Sequence, residues 1–112
     1  MSTFVLPFAP LGATVSFTAA TPTPPTAVQA PIGDTSGTSA GQYRVVNDST
    51  VTVYLGVGAT STAAIANASA VATSIPLLAG TCEVLRFGPN AFFTGKSASS
   101  TGVVYVTQGQ GI

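Results

Sequence analysis

Short runs of β-branched and aromatic residues, separated by clusters of Gly, Pro, Asn and Ser, are the feature that most constrains how this chain can fold. In one run Val51, Val53 and Leu55 lie at alternate positions, and a period of two is typical of a strand with one core-facing side. Similar runs occupy residues 14–18, 43–46, 82–87, 91–94 and 103–107. Short strands with turn formers about every 8–12 residues predict a single all-β domain, an antiparallel β-sandwich or a barrel.

Two segments beside these runs have local interpretations. Residues 47–50 are Asn-Asp-Ser-Thr, and turn formers between two strand patterns predict a β-hairpin formed by 43–46 and 51–55. The following Gly56-Val57-Gly58 is interpreted as a bend at a strand end, because no lysine or helix cap follows it as in a phosphate-binding loop. Residues 60–73 are alanine-rich without a strong cap pattern, which predicts one short helical turn or an extended excursion.

The N-terminal third differs from the rest of the chain. Residues 1–12 form an apolar, proline-broken arm, and the β domain is expected to span residues 13–112. A Pro/Thr-rich and then Gly/Ser-rich connection covers about residues 21–41, and its proline part is expected to be extended and outside a sheet interior. Termini are usually loose unless they dock, so the arm is expected either to cover its own core or to reach a neighbouring subunit. Its candidate partner contacts are Phe4, Leu6 and Phe8.

Charged side chains are rare, and this limits the chemistry of the chain. About 5 % of residues are charged, against roughly 25 % in an ordinary soluble domain, and histidine is absent. The charged residues are Arg44, Arg86, Lys96, Asp34, Asp48 and Glu83. Acid–base pairs, histidine-based triads and zinc sites need more titratable ligands than this. We therefore expect no enzyme activity, and we assign no catalytic, cofactor-binding or metal-binding residue.

The net charge of zero bears on the class of partner. Nucleic-acid binding and binding to anionic membranes both depend on an excess of Lys and Arg, so neither partner is expected. No apolar stretch reaches the roughly 18 residues of a membrane helix, and no positively charged segment opens a secretory signal. The expected place of synthesis and assembly is a cytoplasm.

Two residues of the run 82–87 carry further expectations. Cys82 lies between apolar neighbours and is interpreted as a small buried hydrophobic residue. Glu83 is expected to pair with Arg44 or another cation, across strands or across subunits, because an unpaired charge in so apolar a chain is costly. The alternative is an exposed Glu83 without a partner.

The same scarcity of charge predicts self-association. Sheet proteins usually guard their edges with lysine, and this chain has a single lysine in an expected loop. Small soluble domains also usually carry a net charge away from zero. A closed symmetric oligomer, with a trimer as the favoured form, would cover sheet edges and apolar patches together.

Several stretches from the last two thirds of the chain carry a family resemblance. They are Tyr43-Arg44-Val45-Val46-Asn47, Val53-Tyr54-Leu55-Gly56-Val57-Gly58, Ile75-Pro76-Leu77-Leu78-Ala79-Gly80-Thr81, Glu83-Val84-Leu85-Arg86-Phe87 and Val104-Tyr105-Val106-Thr107-Gln108-Gly109-Gln110-Gly111. On these stretches residues 43–112 resemble small virion proteins of tailed bacteriophages. The resemblance implies a capsid decoration (cement) protein, a β-sandwich or jelly roll placed as trimers on the capsid exterior and bound to the major capsid protein. No contact residue is transferred from that family.

Two other functions compete with the cement protein. A tail or fibre-tip module would bind a host glycan, but the absence of tryptophan and the few tyrosines count against it. A secreted adhesin or surface-layer subunit is disfavoured by the lack of a secretory signal.

Overall fold

The computed structural model describes residues 9–30, 42–88 and 91–110, and these residues are mostly β-structure. The elements in chain order are β1 (Ala9–Ala19), β2 (Val28–Gln29), β3 (Gln42–Asp48), β4 (Val53–Gly58), α1 (Ser61–Ser69), a 3-10 helix (Val71–Thr73), β5 (Ile75–Leu77), β6 (Cys82–Arg86), β7 (Phe92–Ser97) and β8 (Gly102–Gln110). The predominance of β-strands, beside one α-helix, confirms the expected all-β class.

The strands form two four-stranded sheets. The first sheet has the order β1-β8-β3-β6, and the second has the order β2-β7-β4-β5. Neighbouring strands are antiparallel in both sheets. The paired strands are nested in sequence. β4 and β5 lie between β3 and β6, these lie between β2 and β7, and all of them lie between β1 and β8.

Both sheets contribute to one hydrophobic core. The fully buried aromatic and aliphatic residues of the first sheet include Tyr43, Val45, Val104 and Val106, and those of the second include Val53, Leu55, Leu77 and Phe93. The Tyr43 and Phe93 rings meet edge-on across the two sheets with centroids 4.9 Å apart. Burial of each such side chain stabilises the fold by roughly 1.5–3 kcal/mol, so this shared core holds the sheets together.

The expected hairpin of β3 and β4 is wrong. β3 pairs with β6 and β8 in the first sheet, whereas β4 pairs with β5 and β7 in the second. The buried Asn47 amide nitrogen donates to the carbonyl oxygens of Val51 and Leu77, both at 2.9 Å. The Ser49 hydroxyl donates to Asn47 Oδ1 at 2.6 Å. These bonds turn the chain from one sheet to the other, because they hold residues 49–52 in a corner instead of a tight reversal.

The alanine-rich segment forms a longer helix than the sequence suggested. α1 spans nine residues, and the Thr60 hydroxyl accepts a hydrogen bond from the Ala63 backbone N–H at 3.1 Å as its N-cap. Gly56 and Gly58 lie inside β4 and not in a bend after it. A Cβ at Gly56 would come within 2.6 Å of the Ala68 Cβ, so the glycine lets the helix backbone lie directly on the strand.

The domain limits expected from sequence are only partly within the described residues. Residues 9–12 of the expected arm belong to β1, and Pro10 is in register with Gly109 of β8. Residues 1–8 and 31–41 lie outside the described residues. Within the expected connection, residues 21–27 contain no strand, and the short β2 follows them.

Candidate functional site on the outer face of the first sheet

Strand alternation assigns a defined set of residues to the side of the first sheet that faces away from the core. Phe17, Val45 and Val104 are buried in the core, so their immediate neighbours in each strand lie on the opposite side. We call this side the outer face. It comprises Thr14, Ser16, Thr18, Arg44, Val46, Asp48, Cys82, Val84, Arg86, Val103, Tyr105 and Thr107.

The two sheets differ in what covers their outer sides. Within the described ranges, the sheet strands that α1 contacts most extensively are β4 and β7, both in the second sheet. The Pro25 carbonyl accepts a hydrogen bond of 2.7 Å from Thr94 of β7, so the proline segment also lies against that sheet. On the first sheet the outer face is exposed at its centre and along β6, where Tyr105 is 40 % and Val84 is 52 % exposed. Thr107, in the row beside this centre, is buried. Large apolar side chains left exposed in this way mark a contact surface when they adjoin one another.

The strand register arranges the outer face in rows. A central row crosses all four strands as Ser16, Tyr105, Val46 and Cys82, since each of these residues is in register with the next. The row on one side contains Thr14, Thr107, Arg44 and Val84, and the Thr14 and Thr107 hydroxyls lie 2.7 Å apart. The row on the other side contains Thr18, Val103 and Asp48. The face therefore has an apolar centre flanked by hydroxyl groups and by charges of both signs.

The expectation that Cys82 is buried is wrong. Cys82 is exposed, because β6 is an edge strand and Cys82 lies on its outer face. Apolar neighbours in sequence indicated a core strand, but among the described strands β6 pairs with β3 alone.

An ion pair between Glu83 and Arg44 within one chain does not fit the register. Glu83 is in register with the buried Val45, whereas Arg44 is in register with Val84, so the two charged residues lie on opposite sides of the sheet. Glu83 is nevertheless exposed, since β6 lies at the sheet edge. Its solvent exposure removes the desolvation cost that motivated the expected pair. Pairing of Glu83 across subunits stays a prediction.

Two concave regions lie away from the outer face. An apolar cavity of about 120 Å³ is lined by Val57, Gly58, Ala59, Phe87, Gly88 and Ala91. A more polar cleft of about 280 Å³ lies between the end of α1 and the second sheet, where Tyr54 and Lys96 are in register. Among the described residues that line this cleft, Lys96 carries the only charge.

The described residues hold neither a metal-ligand cluster nor a helix that could span a membrane. They contain no group of three or more His, Cys, Asp or Glu side chains placed to hold a metal ion. In the same ranges, no helix has the length and apolar character needed to cross a membrane.

The structure and the sequence point to different candidate contact residues. Phe4, Leu6 and Phe8 lie outside the described residues, and their role stays a prediction. Sequence reasoning missed Tyr105 and Val84 as surface residues. The period of two in 103–107 separates Val103 and Tyr105 from Val104 and Val106, but both sets are apolar, so the sequence does not say which set faces the core.

Comparisons with known proteins identified no relative. No protein-family model, no curated protein and no solved structure matches this chain.

Proposed function

We propose that this chain is a structural virion protein that decorates the capsid of a tailed bacteriophage and stabilises the shell by bridging capsid subunits. Its partners would be the major capsid protein and further copies of itself, on the exterior of a particle assembled in the host cytoplasm. The resemblance of residues 43–112 to small virion proteins supports this assignment, as does the scarcity of charged side chains.

The observation that carries the proposal is the exposed apolar centre of the outer face of the first sheet. Its apolar centre, around Val46, Val84 and Tyr105, is flanked by hydroxyl groups that form hydrogen bonds at a lower desolvation cost than charged groups. A protein partner on this face would bury apolar area and cover the β6 edge at the same time. Decoration would then act through non-covalent burial, with no chemical step.

A finer description of the fold belongs to the same proposal, namely an eight-stranded jelly roll. The nested strand pairing supports a jelly roll, because a long hairpin that wraps into two sheets gives this arrangement. The pairs are β1–β8, β2–β7, β3–β6 and β4–β5, and the sheet orders are β1-β8-β3-β6 and β2-β7-β4-β5. Jelly rolls occur in viral capsid proteins and also in lectins. The fold alone therefore favours neither function over the other.

The N-terminal arm is the second candidate contact in this proposal. Because β1 begins at Ala9, deletion of residues 1–8 removes Phe4, Leu6 and Phe8 and leaves the described strand intact. We expect the truncated chain to fold and to bind particles at least tenfold more weakly than the full chain. Particle binding is measured by co-sedimentation with particles that lack the chain. Undiminished binding of the truncated chain would reject the arm as an anchor.

The copy number and position of the chain in purified particles test the proposed function. Quantitative mass spectrometry of the particles should give hundreds of copies, and cryo-electron microscopy should place them on the shell surface. A few copies at one vertex would instead indicate a tail protein. Absence of the chain from the particles would overturn the proposal.

A glycan-binding tail module is the second candidate, and the polar cleft favours it. Lys96 and Tyr54 at this cleft offer a cation and an aromatic ring to a sugar, and Ser69 and Ser97 add hydroxyl groups. A glycan array on the purified chain tests this alternative. Sugar binding that is lost in Lys96→Gln, together with no affinity for capsids, would favour the tail module over the cement protein.

A further inference from the structure

We infer that two copies of this chain associate through the outer face of the first sheet, related by a two-fold axis that lies along the row of Ser16, Tyr105, Val46 and Cys82. This inference rests on the self-association in the proposed function and deepens it by naming the surface. The inferred contact is dimeric, because a two-fold contact uses the same patch on both copies, and the expected trimer stays a prediction.

The charges on β3 are symmetric about the central row. Arg44 precedes Val46 by two residues and Asp48 follows it by two, so each charge lies about 7 Å along the strand from the proposed axis. A two-fold axis along the row places β3 of one copy over β3 of the other in the reverse direction. Arg44 of each copy then lies over Asp48 of the other copy, and the contact contains two opposite-charge pairs.

The rest of the face is compatible with this arrangement. Tyr105 and Val46 meet their counterparts at the apolar centre. Thr107 is already buried within its own chain and adds little to the contact. Sheets that pack face to face are about 10 Å apart and cross at roughly 30°, which leaves these residues close to one another. Arg86 lies two rows from the axis, on the same side as Arg44, and meets no cation of the other copy.

The size of the face sets the expected strength of the contact. Four strands about 4.8 Å apart and five residues rising about 3.4 Å each give a flat area on the order of 300 Å². A standard stable interface buries about 800 Å² per partner, so the outer face alone predicts a concentration-dependent dimer and not a permanent one.

Charge reversal on the full chain tests the inference by sedimentation equilibrium. Arg44→Asp and Asp48→Arg each put two like charges over each other, and we expect each to raise the dimer dissociation constant at least tenfold. The double variant with both changes restores the opposite-charge pairs with their signs exchanged, so its dissociation constant should return to within about threefold of the original. Lys96→Asp is the matched control for Arg44→Asp: it also reverses a cation, but in β7 of the second sheet, and it should leave the dimer unchanged.

Cysteine cross-linking gives an independent readout, because Cys82 is the only cysteine and lies in the row along which the proposed axis runs. The two copies of Cys82 therefore face each other across the axis. Sheets about 10 Å apart are too distant for a disulfide, whose Cα atoms lie about 4.4–6.8 Å apart. A short bismaleimide should therefore join two copies where simple oxidation does not. The yield should fall in Arg44→Asp and recover in the double variant.

Three outcomes would overturn the inference. In the first, the chain stays monomeric at all concentrations. In the second, the single charge reversals leave the dimer dissociation constant unchanged, and in the third, the double variant dimerises as weakly as the single variants. Thermal unfolding must show that all variants are folded. If reversals abolish particle binding while the free chain is monomeric, the face binds the capsid protein, and the proposed function stands without this dimer. If the dimer forms as described but the chain is absent from particles, the proposed function fails and the dimer does not.

Discussion

Asn47 joins parts of the molecule that are distant in sequence. Its side-chain nitrogen donates to Val51, Leu77 and Leu78 carbonyl oxygens, and its backbone N–H donates to the Thr81 carbonyl oxygen at 2.9 Å. The sequence predicted a turn at residues 47–50, but β3 extends through Asp48 and the chain bends only from Ser49. It gave no means of finding partners some 30 residues away, because an amide side chain selects no particular carbonyl before the sheets are in place.

Asn47→Ala should lower the free energy of unfolding by about 3 kcal/mol, because it removes the hydrogen bonds that this fully buried side chain donates to the Val51, Leu77 and Leu78 carbonyl oxygens. Asn67→Ala is the matched control. Asn67 donates one hydrogen bond of 2.8 Å to the Val57 carbonyl at a half-buried site, so its loss should cost about 1 kcal/mol. Urea denaturation measures both values. Equal losses for the two variants would contradict the role of Asn47 at the corner.

Helix α1 and strand β4 fit together through small residues on both elements. Ala64 and Ala68 are the buried residues of the helix, and they pack over Gly56 and Gly58 of the strand. Read separately, the alanines predicted one short helical turn or an extended excursion, and the glycines predicted a bend. The strands were easier to predict, because a period of two can be read within one segment of sequence. Close packing of a helix on a strand depends on two segments at once.

Gly56→Ala should destabilise the fold by at least about 2 kcal/mol, because the new methyl group would overlap backbone atoms of Ala64 and Ala68 that have little room to move. Gly88→Ala is the control, since a Cβ at Gly88 meets no atom within 4 Å and should change stability by less than about 0.5 kcal/mol. Thermal unfolding followed by circular dichroism compares the two. If Gly56→Ala is as stable as Gly88→Ala, the close approach of helix and strand is not required.

At the scale of the whole molecule, the class of fold could be predicted and the pairing of strands could not. Turn spacing indicated many short antiparallel strands, which the two sheets confirm. The hairpin of β3 and β4 was wrong because neighbouring strands here belong to different sheets, and only the shared core selects that arrangement. The same limit hid the outer face: Arg44 and Val46 were predicted in a strand and Asp48 in a turn, and the side of the sheet on which all three lie depends on β6 and β8.

Few charges and an exposed apolar centre on the outer face support one proposal about the whole chain, namely that its surface is used for contact with other protein subunits. The molar mass of the purified full chain, measured by sedimentation velocity over a hundredfold range of concentration, tests this most directly. We expect the average mass to rise with concentration from that of one 11.0 kDa chain towards an oligomer. A mass that stays at one chain throughout, in a sample that remains soluble and binds no capsid, would contradict the account.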